Sequence, residues 1–237
     1  MNDIPIIRSF NQSSEAGLDV FAPAIFLGGC NLKCPYCMNS KLALGTSTKQ
    51  VKLDDVKRYV LEEKSDWIMI SGGEPTCSDL DMLLNLIKEI KTWGCKIGVS
   101  TNGSKPEILK EILPFIQYVA MDLKSPEDIV LKELGFEHGK TDVTNTHSIL
   151  TDIKTSRNDF NYEIRTTLYP LYVNKNTIVK MSDMLNKDDL WVLQQFRHAK
   201  NMLDPKCSDT KPYDLDEINI LIDIAKKYIN NIQVRYV

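Results

Sequence analysis

No apolar run in the 237 residues approaches the roughly 20 that a helix needs to cross a bilayer, so no membrane span is expected. Basic charge is not in excess. With 29 Lys and Arg against 32 Asp and Glu the formal net charge is -3, which argues against a broad phosphate-binding face and makes nucleic acid an unexpected partner. Histidine is scarce: His138, His147 and His198 show no metal-ligand spacing, and surface or core roles are expected of them. Internal repeats, low-complexity tracts and a linker that would split the chain are lacking. The first ten residues lack the basic start, apolar middle and cleavage site of a secretory signal, so the expected location is the cytoplasm, where disulfides are rare.

What is present is a soluble balance, 43% hydrophobic and 26% charged, in a length suited to one α/β unit. The expectation is a single domain over 1–237, its core at about 20–200, with a C-terminal helix and possible strand over 214–237. Short apolar runs predict buried strands at Ala24–Gly28, Trp67–Ser71, Lys96–Thr101, Tyr118–Leu123, Tyr162–Leu168 and Trp191–Phe196. Between them helical patterns run over Leu53–Glu63, Leu80–Trp93 and Pro106–Leu113, the last opening on proline where a first turn accepts it. Further helices are expected at Thr144–Thr155, Asn176–Leu185 and Asp214–Ile229, and Gln233–Tyr236 could add a strand. Gly135–Asp142 and Ala199–Tyr213 read as loops. Strands alternating with crossover helices imply parallel pairing, and six such units give a partial barrel or an open α/β sheet.

Six cysteines occur, and three of them fall in the run Cys30-Asn31-Leu32-Lys33-Cys34-Pro35-Tyr36-Cys37, just after a strand ending in Gly28 and Gly29. Thiolates are soft ligands for iron–sulfur clusters or zinc, and a compact loop can bring three to one centre. Structural zinc usually takes four protein ligands, whereas a catalytic metal keeps a position open. No fourth ligand follows at zinc-finger spacing. Cys77, Cys95 and Cys207 are far apart and read as small buried hydrophobes rather than a second metal set.

A C-x3-C-x2-C loop with aromatic Tyr36 before the last cysteine resembles the cluster loop of the radical S-adenosylmethionine (SAM) superfamily. Ser71-Gly72-Gly73-Glu74-Pro75, ending the next strand, is similar to that family's SAM-amine segment, where glycines let backbone approach a ligand. Ser100-Thr101-Asn102-Gly103, Tyr118 to Lys124, Arg165-Thr166-Thr167 and Gln194 to Arg197 look like glycyl-radical-enzyme activases, above all the family that activates anaerobic ribonucleoside-triphosphate reductase. This resemblance covers about Ala24 to Arg197.

It implies an α/β fold with a partial parallel (β/α)6 barrel. It implies one 4Fe-4S cluster on Cys30, Cys34 and Cys37, with the amino and carboxylate groups of SAM chelating the fourth iron. Reductive cleavage of SAM would give a 5'-deoxyadenosyl radical that takes a hydrogen from a glycine of the partner. Contacts to SAM are implied for Tyr36, Met38, Gly72, Gly73, Glu74, Ser100, Asn102, Asp122, Lys124, Arg165 and Gln195. Glu74 could meet the ammonium or simply shape its turn, while Asp122 and Lys124, helped by Arg165, would meet ribose or carboxylate. Related activases often place Asp before Thr-Asn-Gly; Ser100 stands there and would weaken a cation site. The implied partners are a glycyl-radical enzyme, an anaerobic ribonucleotide reductase, and flavodoxin or ferredoxin as electron donor, since no cysteine-rich insertion supplies further clusters. The alternatives are a radical SAM enzyme acting on a small molecule or peptide, and a non-catalytic zinc-binding interaction module.

Overall fold

A computed structural model describes residues 3–11 and 22–236; the start of the expected core, at residues 20 and 21, lies outside them. Among the described residues eight strands form one sheet in sequence order: β1 (Ile7–Asn11), β2 (Ala24–Leu27), β3 (Trp67–Gly72), β4 (Lys96–Thr101), β5 (Tyr118–Asp122), β6 (Asn161–Leu168), β7 (Leu190–Gln195) and β8 (Asn231–Arg235). From β2 to β8 every neighbour is parallel, and β1 pairs antiparallel on β2. The strands β1 and β8 are edges that do not meet, so the barrel is partial.

Parallel neighbours need crossovers, and helices supply them. After β2 come α1 (Ser40–Ala43) and α2 (Leu53–Glu62), after β3 α3 (Leu80–Lys91), and after β4 α4 (Pro106–Ile112). After β5 come α5 (Asp128–Leu134) and α6 (Lys140–Ser156), after β6 α7 (Lys175–Ser182), and after β7 α8 (Leu215–Ala225). These are the six expected βα units, closed by the strand expected near the C-terminus.

The sheet's two faces follow the two-residue alternation of strands. Ile25, Leu27, Ile68, Ile70, Ile97, Val99, Val119, Ile164, Trp191 and Leu193 join the buried stripes of the helices in one large core. Leu83, Leu86, Ile87 and Ile90 of α3 are wholly buried there, each contributing about 1.5–3 kcal/mol by leaving water. The opposite, inner face carries a smaller cluster of Ala24, Phe26, Met69, Tyr118 and Ala120. Alternation then turns Ser100, Asp122, Arg165, Thr167 and Gln194 inward at the carboxyl ends of β4 to β7. The inner face is thus apolar at its base and polar at its mouth, the end at which α/β barrels gather reactive groups.

Four segments differ from expectation, the first being the single turn α1, where no helix was expected. The edge strand β1 carries only five residues of mixed polarity, IRSFN, and is fixed by pairing with β2 rather than by its own pattern. Helix α5 has seven residues, too few to display a period, and ends on Gly135 at φ 111°. The segment 135–142, expected as a loop, is one only to Gly139: α6 starts at Lys140, where the buried Asp142 carboxylate accepts the His138 N–H at 3.0 Å. Cys77 is exposed rather than buried, Cys95 is half-buried, and Cys207 is buried as expected.

Candidate cofactor site

The cysteine loop leaves β2 and is held from both sides. On one side Lys33 N–H donates to Leu134 O at 2.8 Å, so the unforeseen α5 forms part of the wall. On the other, Leu203 N–H donates to Cys37 O at 3.1 Å, Asp204 N–H to Pro35 O at 2.9 Å, and Ser40 Oγ to Asn201 O at 2.7 Å. The Ala199–Tyr213 loop is therefore a strap across the cysteine loop. Cys34 is buried, while Cys30 and Cys37 are half-buried. Burial pushes the Cys30 thiol up to about 12 and raises that of Cys34, and the nearby Lys124 ammonium works against both shifts. Metal coordination would supply the opposing push toward thiolate.

At the end of β3 the chain runs against the same loop. Gly73 N–H donates to Leu27 O and Glu74 N–H to Gly29 O, at 2.9 and 2.7 Å. A Cβ at Gly73 would lie 1.9 Å from Gly29 O, so only glycine permits this approach. The Glu74 side chain is buried and its partners are protein donors. Oε1 accepts from the Thr76 N–H, the Thr76 hydroxyl and the Thr101 hydroxyl, and Oε2 from the Asn102 N–H at 2.6 Å. These bonds shape the turn that carries Glu74. Burial pushes its carboxyl up and these four donors oppose that. The Asn102 amide is turned toward the cysteine loop, 3.1 Å from Asn31 Oδ1.

Across the mouth, Asp122 accepts from Arg165 Nε at 2.9 Å and from Lys124 Nζ at 3.2 Å. Burial pushes the Asp122 carboxyl up, but Arg165 and Lys124 outweigh it and hold the group below the usual carboxylate range. Burial acts against the Lys124 ammonium, yet the Asp122 carboxylate keeps it well above the ordinary lysine value. These three expected residues form one ion cluster beside the cysteines. Ser100, two strands from Arg165, shares their inward face.

Tyr36 is buried against Tyr169, ring centroids 4.7 Å apart, with Tyr172 at 6.0 Å. With Cys37, the exposed Met38, Thr167, Gln194, Gln195, Phe196 and Arg197 it lines a cavity of about 180 Å³. Gln195 falls on the helix side of β7 and Gln194 on the inner side, so the glutamine on the same face as Thr167 is the one the sequence did not single out. Also unforeseen were Asn31, Thr76, Thr101 and Ser104, which brace the loop through polar bonds that leave no hydrophobic period.

Among the described residues no three His, Cys, Asp or Glu side chains gather tightly enough for a single metal ion. Three thiols set around one loop, with a cation beside Cys34, suit a cluster that takes each thiolate at a separate iron. The donor set fits that group.

Comparison with known proteins agrees. The sequence model of the radical SAM superfamily matches residues 24–179. A candidate glycyl-radical enzyme activating enzyme of Methanocaldococcus jannaschii is 31% identical over 213 residues, 89% of this chain and 87% of that one. The 7-carboxy-7-deazaguanine synthase of Neisseria meningitidis serogroup B is 34% identical over 123 residues, 51% of this chain and 52% of the synthase. A structure of TYW1 with a lysine–pyruvate adduct bound covers 89% of this chain and 75% of its own, at a TM-score of 0.59 and 17% identity, a likeness of fold alone.

Proposed function

The chain belongs to the radical SAM superfamily, and from that premise we propose that it activates a glycyl-radical enzyme, an anaerobic ribonucleotide reductase. The superfamily's cofactors are a 4Fe-4S cluster and SAM, which when bound supply a 5'-deoxyadenosyl radical by one-electron cleavage of the sulfonium. The observation that carries the reading is the near end-to-end likeness to the Methanocaldococcus protein, against a likeness to the synthase over half the chain.

In this reading Cys30, Cys34 and Cys37 hold the three irons. Gly72 and Gly73 bring bare backbone to the SAM amine. Asp122, already oriented by Arg165 and Lys124, presents a fixed carboxylate to the ribose, and the two cations face the SAM carboxylate. Tyr36, Met38 and Gln195 would contact the adenosine at the cavity they line together with Gln194. Ser100, lacking a carboxylate, leaves the inward face without a cation ligand at that position. The substrate is a glycine backbone of a partner protein entering at the barrel mouth, and flavodoxin or ferredoxin delivers the electron.

The half-chain likeness to 7-carboxy-7-deazaguanine synthases favours a second reading, a small molecule as substrate. Anaerobic reconstitution with iron and sulfide, then reduction with SAM, separates these. Wild type should form 5'-deoxyadenosine and Cys34→Ala none; a glycyl-radical doublet should then appear by electron paramagnetic resonance on an added anaerobic reductase. Deoxyadenosine without any doublet on the reductase would sink the activase reading and favour the small-molecule one.

A further inference from the structure

Asn102, just beyond β4, is oriented by bonds at its backbone N–H and at both ends of its side-chain amide. Its backbone N–H donates to Glu74 Oε2 at 2.6 Å, and its Oδ1 accepts the Ser104 N–H at 2.9 Å. The Nδ2 end is thereby turned to the cysteine loop, 3.1 Å from Asn31 Oδ1 and 3.8 Å from Cys30 Sγ. A flipped amide would set Nδ2 against the Ser104 N–H, donor on donor, and Oδ1 against Asn31 Oδ1 and the Cys30 sulfur. The network therefore permits one orientation. Its centre is buried, with Asn102 4% and Glu74 1% exposed, and Cys30 stands half-buried at its edge.

We propose that Asn102 is a positioning and tuning residue for the iron–sulfur cluster, its side-chain amide donating to the Cys30 thiolate. Cys30 Sγ already accepts the Leu32 N–H at 3.3 Å, a bond that any residue at 32 other than proline would make. The Asn102 bond depends on its side chain. Donors to cluster sulfurs stabilise the extra negative charge of the reduced state, so they raise the potential, and partners beyond the ligands tune it further. Glu74 acts here through Asn102, fixing the backbone from which that amide projects. Asn31 completes the clamp, taking the other Nδ2 hydrogen and bonding through its own Nδ2 to Ser104 Oγ at 2.9 Å. The inference rests on the cluster and not on which substrate follows.

The test is a redox titration of the reconstituted full-length protein without SAM, followed by electron paramagnetic resonance, in wild type, Asn102→Ala, Asn102→Asp and Asn102→Gln. With equal iron content, the Ala and Asp variants should be reduced at lower potential. In Asn102→Asp the reduced-to-oxidised ratio at fixed potential should fall about tenfold, which is 59 mV for a one-electron couple. Equal potentials in wild type and a loaded Asn102→Ala overturn the proposal while leaving the cofactor assignment intact. If Asn102→Ala takes up no iron, Asn102→Gln decides: iron retained there upholds the donor role, and iron lost there too marks Asn102 as a packing residue and overturns it. Failure of wild type to take up iron would overturn the cofactor assignment and this proposal with it.

Discussion

At the scale of single residues the site depends on where a side chain has no room. Gly73 and Gly98 look alike in sequence, but a Cβ at Gly73 would meet backbone, 1.9 Å from Gly29 O, whereas one at Gly98 would meet Met69 Sδ at 2.2 Å. Gly29 O is held by the Glu74 N–H at 2.7 Å and its backbone cannot retreat without breaking that bond, whereas a methionine thioether can re-rotate. Gly98→Ala should therefore cost about 1–2 kcal/mol in chemical denaturation and keep the iron. Gly73→Ala should cost about 3 kcal/mol or more and lose iron on reconstitution. A different residue bears on pH. Asp189, buried before β7, accepts from Tyr162 OH and the Asn186 N–H and bonds His147 Nε2 at 2.7 Å. Burial pushes its carboxyl up, but its bonds to His147 and Tyr162 outweigh that and hold it below the ordinary value. A depressed carboxyl contributes stability above its unfolded value, about 3.9, and loses it as pH falls through the lower folded one. Asp189→Asn should thus cost about 1–3 kcal/mol at neutral pH, and thermal melts should show the gap to wild type closing below about pH 4. A gap that stayed constant into acid would refute the assignment.

At the scale of elements, what was legible depended on whether an element carries its own signal. Strands β2 to β7 are buried on both faces and read as short apolar runs, and α3, with four wholly buried residues on one stripe, declares its period. The edge strand β1 and the seven-residue α5 do not, since one is specified by its partner and the other is too short. The strap over 199–213 was legible as a loop, but its task was not. Its backbone N–H groups at Leu203 and Asp204 bond carbonyls of the cysteine loop, and backbone groups leave no mark in a side-chain pattern. The strap is also pinned by Cys207, whose Sγ lies 3.2 Å from Tyr169 OH, and Tyr169 packs on Tyr36. Tyr169→Phe removes that bond and keeps the ring. It should cost about 1 kcal/mol of stability and, by hydrogen exchange, loosen the Leu203 and Asp204 amides while the sheet stays protected. Unchanged exchange at those two amides would show that the strap does not depend on the tyrosine.

At the scale of the whole molecule, the open sheet is tied across its C-terminal edge by Arg235 of β8, which reaches over β7 to Glu163 of β6 through two bonds of 2.9 and 2.5 Å. Glu163 is fully buried, so Arg235→Met should cost about 3–5 kcal/mol by leaving its charge without a partner. Glu163→Met with Arg235→Met should recover most of that, a coupling that a double-mutant cycle by chemical denaturation measures. An additive cycle would mean that the edge is held by strand pairing alone. The sequence by itself determined that β2 to β7 alternate with crossover helices, because those strands and most of those helices carry local periods, and it determined that three thiols lie near one another, because a run of eight residues needs no fold to bring them together. Only the tertiary structure decided that Glu74 is bound by protein donors and that Asn102 turns its amide to Cys30. It also decided that Asp122, Lys124 and Arg165 form one cluster and that residues 201–204 close over the cysteines. Those contacts join residues up to some 170 positions apart through single polar bonds, whose partners are chosen by packing and have no local pattern from which to be read.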